Sequence, residues 1–350
     1  MYQPEPPEGA GCFKPRLVQY FSILDLVPIC EGASAREALR NSIELARHAE
    51  RWGYHRYWLA EHHNMPGIGS AATSVVISAV AGATSTIRVG SGGVMLPNHA
   101  PLVIAEQFGT LEALFPDRID LGLGRAPGTD MTTARALRRD LETTSEHFPH
   151  DVLELKTLLD EGFPHVGVQA VPGSGSRVPI WLLGSSVFSA QLAAELGLPF
   201  SFASHFAPDL LFEALDIYRA SFRPSEQLDR PYVMPAILAI FADSDEEARR
   251  LLTSSQQATA NLLRGRPGRL PRPVEPSEIQ QLLSPEELSA VAHRQMYAAV
   301  GSPQVARERI ARFLERTKAD ELMITAMIFD QHARLRSFEL AATMLEGLRT

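Results

Sequence analysis

Four short stretches of the sequence hold residue types that could do chemistry. The first is Glu61-His62-His63, directly after an apolar run. An imidazole titrates near neutral pH, so His62 is a candidate general acid or base, with Glu61 an acidic neighbour. Adjacent histidines point in different directions and rarely share a metal ion. The helical H-E-x-x-H spacing is also absent, so no metal is expected. The second stretch is Ser91-Gly92-Gly93, inside an apolar run. Two glycines weaken a strand, and their presence suggests a flat ligand in close approach, a bulge, or an unusual peptide geometry. The third is Gly122-Leu123-Gly124-Arg125-Ala126-Pro127-Gly128. Its G-x-G-x-x-x-G spacing is not the dinucleotide fingerprint. An arginine beside glycines after a strand end can instead grip a phosphate. The fourth is Gly184-Ser185-Ser186, with Ser189 a turn later. Free N–H groups at a helix start attract anions, and serine hydroxyls add donors. Without a lysine it is no Walker loop, and no G-x-S-x-G elbow supports a serine nucleophile.

Each stretch also has a plainer reading. His62 could be a satisfied structural histidine, and Gly92-Gly93 could serve tight helix packing. Arg125 could pair with Asp130, and one of the serines could simply cap a helix. Trp52, Trp58 and Trp181 read as packing residues. The run Arg307, Glu308, Arg309, Arg312, Glu315 and Arg316 reads as a solvated helix face.

The elements that must position these residues alternate along the chain. Strand-like runs are Leu17 to Leu24, Tyr54 to Ala60, Ile87 to Met95, Ile119 to Leu123, Pro179 to Leu183, Phe200 to Ala203, Tyr232 to Phe241 and Glu321 to Thr325. Helical patterns separate them, with capping boxes expected at Ser34/Glu37 and Ser244/Glu247. A helical stretch from Thr132 to Leu159 is expected to break near Pro149. The strands are mostly apolar on both faces, as in a parallel sheet covered by helices. The expected fold is therefore a single (β/α)8 TIM barrel of residues 17–350, with an insertion after strand seven and a flexible arm at residues 1–16. A doubly wound sheet is the alternative. Within the insertion, Arg264 to Pro276 holds four prolines, four arginines and two glycines, so neither helix nor strand is expected. An active-site lid and a solvated linker are equally open readings.

Composition narrows the partners. The chain has 350 residues and a formal charge of −8, so nothing favours a nucleic-acid backbone as partner. No apolar run reaches the roughly 18 residues of a membrane span. Cys12 and Cys30 match no disulfide or metal framework, which fits a reducing cytoplasm.

Taken together, several motifs resemble the bacterial luciferase-like flavin monooxygenases. They are WLAEHH at Trp58 to His63, VGSGGVMLPNHAP at Val89 to Pro101, DLGLGRAPGTD at Asp120 to Asp130, PIWLLGSS at Pro179 to Ser186, and AAELGLPFSFASHF at Ala193 to Phe206. The chain looks closest to the stand-alone luciferase-like oxygenases, some of which act in aromatic polyketide pathways. The resemblance implies FMN at the carboxyl ends of the strands, with reduced flavin and dioxygen forming a C4a-(hydro)peroxyflavin that oxygenates a small organic substrate. It implies that His62 is catalytic and that Glu61 is an acid near the flavin. Gly92-Gly93 would carry a non-proline cis peptide against the ring. Arg125, Ser185, Ser186 and Ser189 would hold the phosphate. It also implies a homodimer, with reduced flavin supplied by a partner reductase. The luciferase α-subunit carries an acid where Ser185 stands, which leaves FMN versus deazaflavin open, and light emission is not implied. Two rival functions remain. One is a flavin-binding protein without catalysis. The other is a phosphate-binding barrel aldolase or isomerase, although Lys14, Lys156 and Lys318 offer no obvious Schiff-base lysine.

Overall fold

The structure, a computed structural model, describes residues 18–125, 131–137, 147–161 and 167–348. The arm expected at residues 1–16 lies outside the described residues. Among the described residues nine strands are present: β1 (Tyr20–Asp25), β2 (Arg56–Leu59), β3 (Arg88–Met95), β4 (Ile119–Gly124), β5 (Ile180–Gly184), β6 (Phe200–Phe202), β7 (Val233–Phe241), β8 (Ala299–Gly301) and β9 (Glu321–Thr325). Helices alternate with them: α1 (Ala35–Arg51), α2 (Thr73–Gly82), α3 (Pro101–Leu114), α4 (Met131–Ala136), α5 (Phe148–Leu159), α6 (Val187–Leu196) and α7 (Leu211–Ser221). The segment after β7 carries α8 (Asp245–Leu263), α9 (Pro276–Leu282), α10 (Pro285–Arg294) and α11 (Pro303–Thr317), and α12 (Gln331–Glu346) follows β9.

All pairings are parallel. Strands β1 to β6 neighbour one another in order, β6 meets β7, β7 meets β9, and β9 returns to β1. The ring is therefore a closed eight-stranded TIM barrel, and the doubly wound alternative is excluded. β8 stands outside the ring, paired only with the last residues of β7. At three residues it is too short to be read from periodicity, so the barrel's eighth strand is β9.

Strand alternation sorts two cores. Phe21, Ile23, Tyr57, Leu59, Val89, Leu121, Leu182 and Phe202 pack outward against the helices. Leu24, Trp58, Trp181, Met234, Ala236 and Met323 form a separate cluster inside the ring. Trp58 and Trp181 meet edge to face at 5.1 Å between ring centroids. The helix ends follow local chemistry. Ser34 and Glu37 form a reciprocal capping box, as do Ser284 and Glu287. At α8, Ser244 caps the Glu247 N–H, and the reciprocal bond from Glu247 is not present. The break expected near Pro149 agrees with α5 starting at Phe148, with the proline in its first turn. A proline is well suited to that position, because the first N–H groups of a helix need no intrahelical acceptor. The charged side chains of α11 named above are exposed.

Below the inner cluster, at the amino ends of the strands, lies a buried charge network. Arg56 on β2 donates to Asp120 of β4 at 2.6 Å and to both carboxylate oxygens of Glu321 on β9 at 3.1 Å. Asp120 also accepts from Arg88 of β3 at 2.6 Å and from the Trp58 indole at 3.1 Å. Glu321 accepts from Ser22 of β1 and, at 2.8 Å, from Tyr232 just before β7. The Arg56 guanidinium lies 4.7 Å from the Trp181 ring centroid. Burial alone would raise the Asp120 carboxyl, but Arg56 and Arg88 hold it below the usual carboxylate range. Removing the shared cation leaves two buried carboxylates facing each other. Arg56→Ala is therefore expected to lower unfolding free energy by about 3–5 kcal/mol, measured from urea midpoints. A loss comparable to that of an exposed salt bridge would show that the network does not hold the barrel floor.

Candidate active site

At the carboxyl ends of the strands a cavity of about 800 Å³ opens above the inner cluster. This is the face where a barrel's βα loops converge. Its floor and walls are mostly apolar, from Leu24, Trp58, Leu183, Ala236 and Met323. Trp58 is thus both a packing residue, as expected, and part of the cavity floor. His62, Gly92, Gly93, Arg125, Ser185, Ser186 and Ser189 all border this one cavity, although they come from four separate loops or strands. Among the expected site residues, Glu61 alone does not line it.

One part of the wall suits an anion. Ser186 occupies the N-cap position of α6, yet its hydroxyl makes no capping bond. The first N–H groups of that helix therefore lack a side-chain cap, and free N–H groups at a helix start favour negative charge. Ser189 is almost fully buried one turn in, packed so tightly on Gly184 that a Cβ there would lie 2.2 Å from its Oγ. Arg125, just past the end of β4, lays its guanidinium 4.2 Å from the ring centroid of Phe188, the second residue of α6. The cation is thereby held beside the helix start. The expected alternative partner, Asp130, lies outside the described residues.

A second part of the wall is made by β3. The Gly92–Gly93 peptide is cis. A Cβ on Gly92 would come within 2.6 Å of Leu24 Cδ1, and one on Gly93 within 2.8 Å of the Gly122 carbonyl oxygen. Side chains are thus excluded sterically on both sides, and the β3–β4 register shifts between Ser91 and Val94.

Glu61 stands behind this wall as a brace. Its N–H donates to the Gly93 carbonyl at 3.3 Å, and its carboxylate accepts from the Met95 N–H at 3.0 Å. His63 and His99 each bring Nε2 to the same carboxylate oxygen, at 2.7 and 2.9 Å. Burial pushes the Glu61 carboxyl up, but the bonds from His63 and His99, with the His99 charge and the Met95 N–H, outweigh it and hold it down at about 2. These three side chains bring ligand-type atoms within 4.8 Å of one another. Their short contacts are accounted for as hydrogen bonds, and the effect is to fix the strand end that carries His62 against the glycine wall.

The insertion closes part of the mouth. Leu270 of the Arg264–Pro276 segment is buried and bonds by backbone to the loop after β1: its N–H reaches Ile29 O at 2.9 Å, and the Glu31 N–H reaches Leu270 O at 3.0 Å. Arg269 adds a bond to Ala33 O at 2.8 Å. Pro267, Gly268 and Leu270 border the cavity. Up to Glu275 the segment is neither helix nor strand, as expected, and α9 takes over at Pro276; through Leu270 it is a strap packed across the mouth and not a solvated linker.

Sequence reasoning did not single out His205, which lies just beyond β6 and borders the cavity. Its signal was the same as that of His62, a histidine after a strand end, but it stood without an acidic neighbour. Arg294 and Gln295 reach the cavity from the end of α10. Nothing in their local sequence shows that they fold back over it. No lysine borders the cavity among the described residues, so a Schiff-base aldolase finds no support in its lining.

Comparison with known proteins agrees with this arrangement. Residues 21–321 match the family described as luciferase-like monooxygenase. A protein of Escherichia coli (strain K12) named luciferase-like monooxygenase is 56% identical over 328 residues, covering 94% of this chain and 97% of its own. The crystal structure of apo-MsnO8 superposes with a TM-score of 0.85 at 36% identity, covering 94% of this chain and 98% of the other. The oxygenating constituent of 3,6-diketocamphane monooxygenase of Pseudomonas putida, solved with FMN, has a TM-score of 0.70 at 18% identity over 93% and 97% of the two chains, a likeness of fold. The chain belongs to the luciferase-like monooxygenase family and is a flavin-dependent monooxygenase.

Proposed function

We propose that the cavity binds reduced FMN and that the protein uses it with dioxygen to oxygenate a small, largely apolar organic molecule. The observation that carries this reading is the joining of two environments in one cavity. The uncapped start of α6, with Arg125 beside it, adjoins apolar walls, the Gly92–Gly93 peptide and His62. Arg125, Ser185, Ser186 and Ser189 would hold the phosphate, and the glycine wall would face the ring system. Among proteins of the same fold, the diketocamphane enzyme was solved with FMN and a secondary alcohol dehydrogenase with a deazaflavin, F420, so the choice of FMN rests on the anion-binding helix start and not on fold. When bound, reduced flavin supplies the activation of dioxygen that puts one oxygen atom into the substrate.

The chain's own residues then have three tasks. The walls and the strap through Leu270 keep water from the reacting centre. Gly92 and Gly93 keep side chains out of the space a flat ring needs. His62, at the end of β2, moves a proton to or from the reacting atoms, as suits an imidazole at neutral pH. A partner reductase would supply the reduced flavin, in a cytoplasmic setting. No helix among the described residues is long and apolar enough to cross a membrane. The homodimer implied by the family is part of this reading, and Val75 of α2 and Leu114 of α3 are exposed apolar side chains on neighbouring helices that could meet a second copy.

Two measurements test this. In titrations followed by flavin fluorescence, Arg125→Ala should weaken reduced FMN binding roughly 10- to 100-fold, the loss of a charge-assisted bond, while riboflavin binding changes little. An equal loss for riboflavin would remove Arg125 from the phosphate site. In single-turnover assays at saturating reduced FMN, His62→Ala should slow substrate oxygenation by about 10²–10⁴-fold with flavin affinity preserved. Unchanged turnover would sink the proton-transfer role.

A further inference from the structure

His205 is a half-buried titratable group that the reading above does not use. It lies three residues beyond the end of β6, and it borders the cavity. The backbone around it is firmly held. The Ser204 hydroxyl donates to Ala236 O at 2.7 Å, the Ser204 N–H to Phe202 O at 2.9 Å, and the Ala203 N–H to Gly184 O at 2.9 Å. The Phe206 ring meets the imidazole edge to face at 4.8 Å. The imidazole is therefore a placed group.

The two ring nitrogens differ. Nδ1 is shut off from solvent and makes no hydrogen bond of good geometry. Nε2 is the nitrogen left on the open side. Burial, with the charge of His62, pushes the ring's pKa down to about 4, and the Ala236 carbonyl is the contact that opposes this. The ring is accordingly neutral at physiological pH and carries one proton. The tautomer that leaves Nε2 bare puts this proton on Nδ1, on the covered side of the ring, where a carbonyl oxygen such as that of Ala236 can only accept. The lone pair then sits on Nε2 and faces a cavity whose walls are otherwise mostly apolar. An acceptor in such surroundings strongly favours a ligand that brings a donor.

We propose that His205 is a ligand-binding residue of this site, whose Nε2 accepts a hydrogen bond from an N–H or O–H group of the molecule bound in the cavity. Two sources carry that chemistry: a ring N–H of the flavin, or the N–H or O–H of an organic substrate such as a phenol, an indole or an amide. The inference rests on the reading of the cavity as the oxygenation site, and it adds a class of partner to that reading.

Nitrogen-15 NMR of histidine-labelled protein tests it without turnover, the His205 signals being assigned by their loss in His205→Gln. In the ligand-free protein the expected result is an N–H on Nδ1 and a bare Nε2, unchanged between about pH 5 and 8 given the lowered pKa. A proton on Nε2, or a doubly protonated ring at pH 6, overturns the proposal. Reduced FMN and then phenol are added in turn. An upfield shift of Nε2 with FMN alone assigns the donor to the flavin, and a shift only with phenol assigns it to the substrate. No shift with either overturns the proposal. Binding of phenol against anisole gives a second readout. If the substrate is the donor, phenol binds about 10-fold more tightly to the wild type, the preference persists in His205→Gln, whose amide oxygen reaches the same place, and it disappears in His205→Phe. A preference that persists in His205→Phe overturns the substrate assignment. Should His205→Phe not fold, the wild-type NMR decides alone. If FMN fails to bind at all, the flavin reading fails, and the phenol arm still reads His205 separately.

Discussion

The barrel is built over a buried cation. Arg56 sits where the amino ends of the strands converge, and its guanidinium bridges Asp120 on β4 and Glu321 on β9. Those two carboxylates draw in Ser22, Arg88, Trp58 and Tyr232, so that most of the ring is tied to one charge. Buried charges are costly unless paired and hydrogen-bonded. Here each carboxylate oxygen of Asp120 and Glu321 accepts two hydrogen bonds, from groups on or beside several strands that must be in register to reach it. The network therefore sets which end of the barrel is plugged. The opposite end is left for a cavity.

A second polar cluster fixes the barrel's flank. Asp25, the last residue of β1, receives Arg334 of α12 at 2.5 Å, Ser42 of α1 at 2.6 Å and the Tyr57 hydroxyl of β2. The first and last helices of the barrel are thus fastened to the same strand end. Above these ties the polar groups thin out. The cavity floor is Leu24, Trp58, Ala236 and Met323, and its polar residues sit at the rim where strand ends and helix starts meet. In such an apolar space a few well-placed donors and acceptors count for more than they would in water. That is the physical reason why a few polar side chains, Arg125, Ser189, His62 and His205 among them, can set the character of the cavity despite a chain whose net charge is −8.

Glu61 illustrates how far a site depends on residues that do not touch its contents. It shares a loop with His62 but turns away from the cavity. There it gathers the Met95 N–H, His63 and His99 into one set of bonds behind the glycine wall. The strap through Leu270 has a comparable role at the mouth, joining an insertion late in the chain to the loop after β1.

The sequence by itself determined the alternation of strands and helices, and hence a parallel α/β fold. It also located one connected part of the cavity's polar lining, His62, Arg125, Ser185, Ser186 and Ser189, because a barrel's chemistry lies at strand ends and those ends are marked by glycine, serine and histidine in recognisable motifs. Helix starts such as Ser34 and Ser284 were equally local in origin, since a cap depends on residues three apart. Ring closure, the role of β8 and the direction in which Glu61 points were decided only in three dimensions. Closure depends on β9 meeting both β7 and β1, and the contact with β1 spans nearly the whole chain. The sides taken by Glu61 and His62 follow from strand pleat and from partners more than 30 residues away, such as Met95 and His99. His205 was invisible for the same reason. What distinguishes it is the burial of one nitrogen and the accessibility of the other, and no spacing along the chain records that.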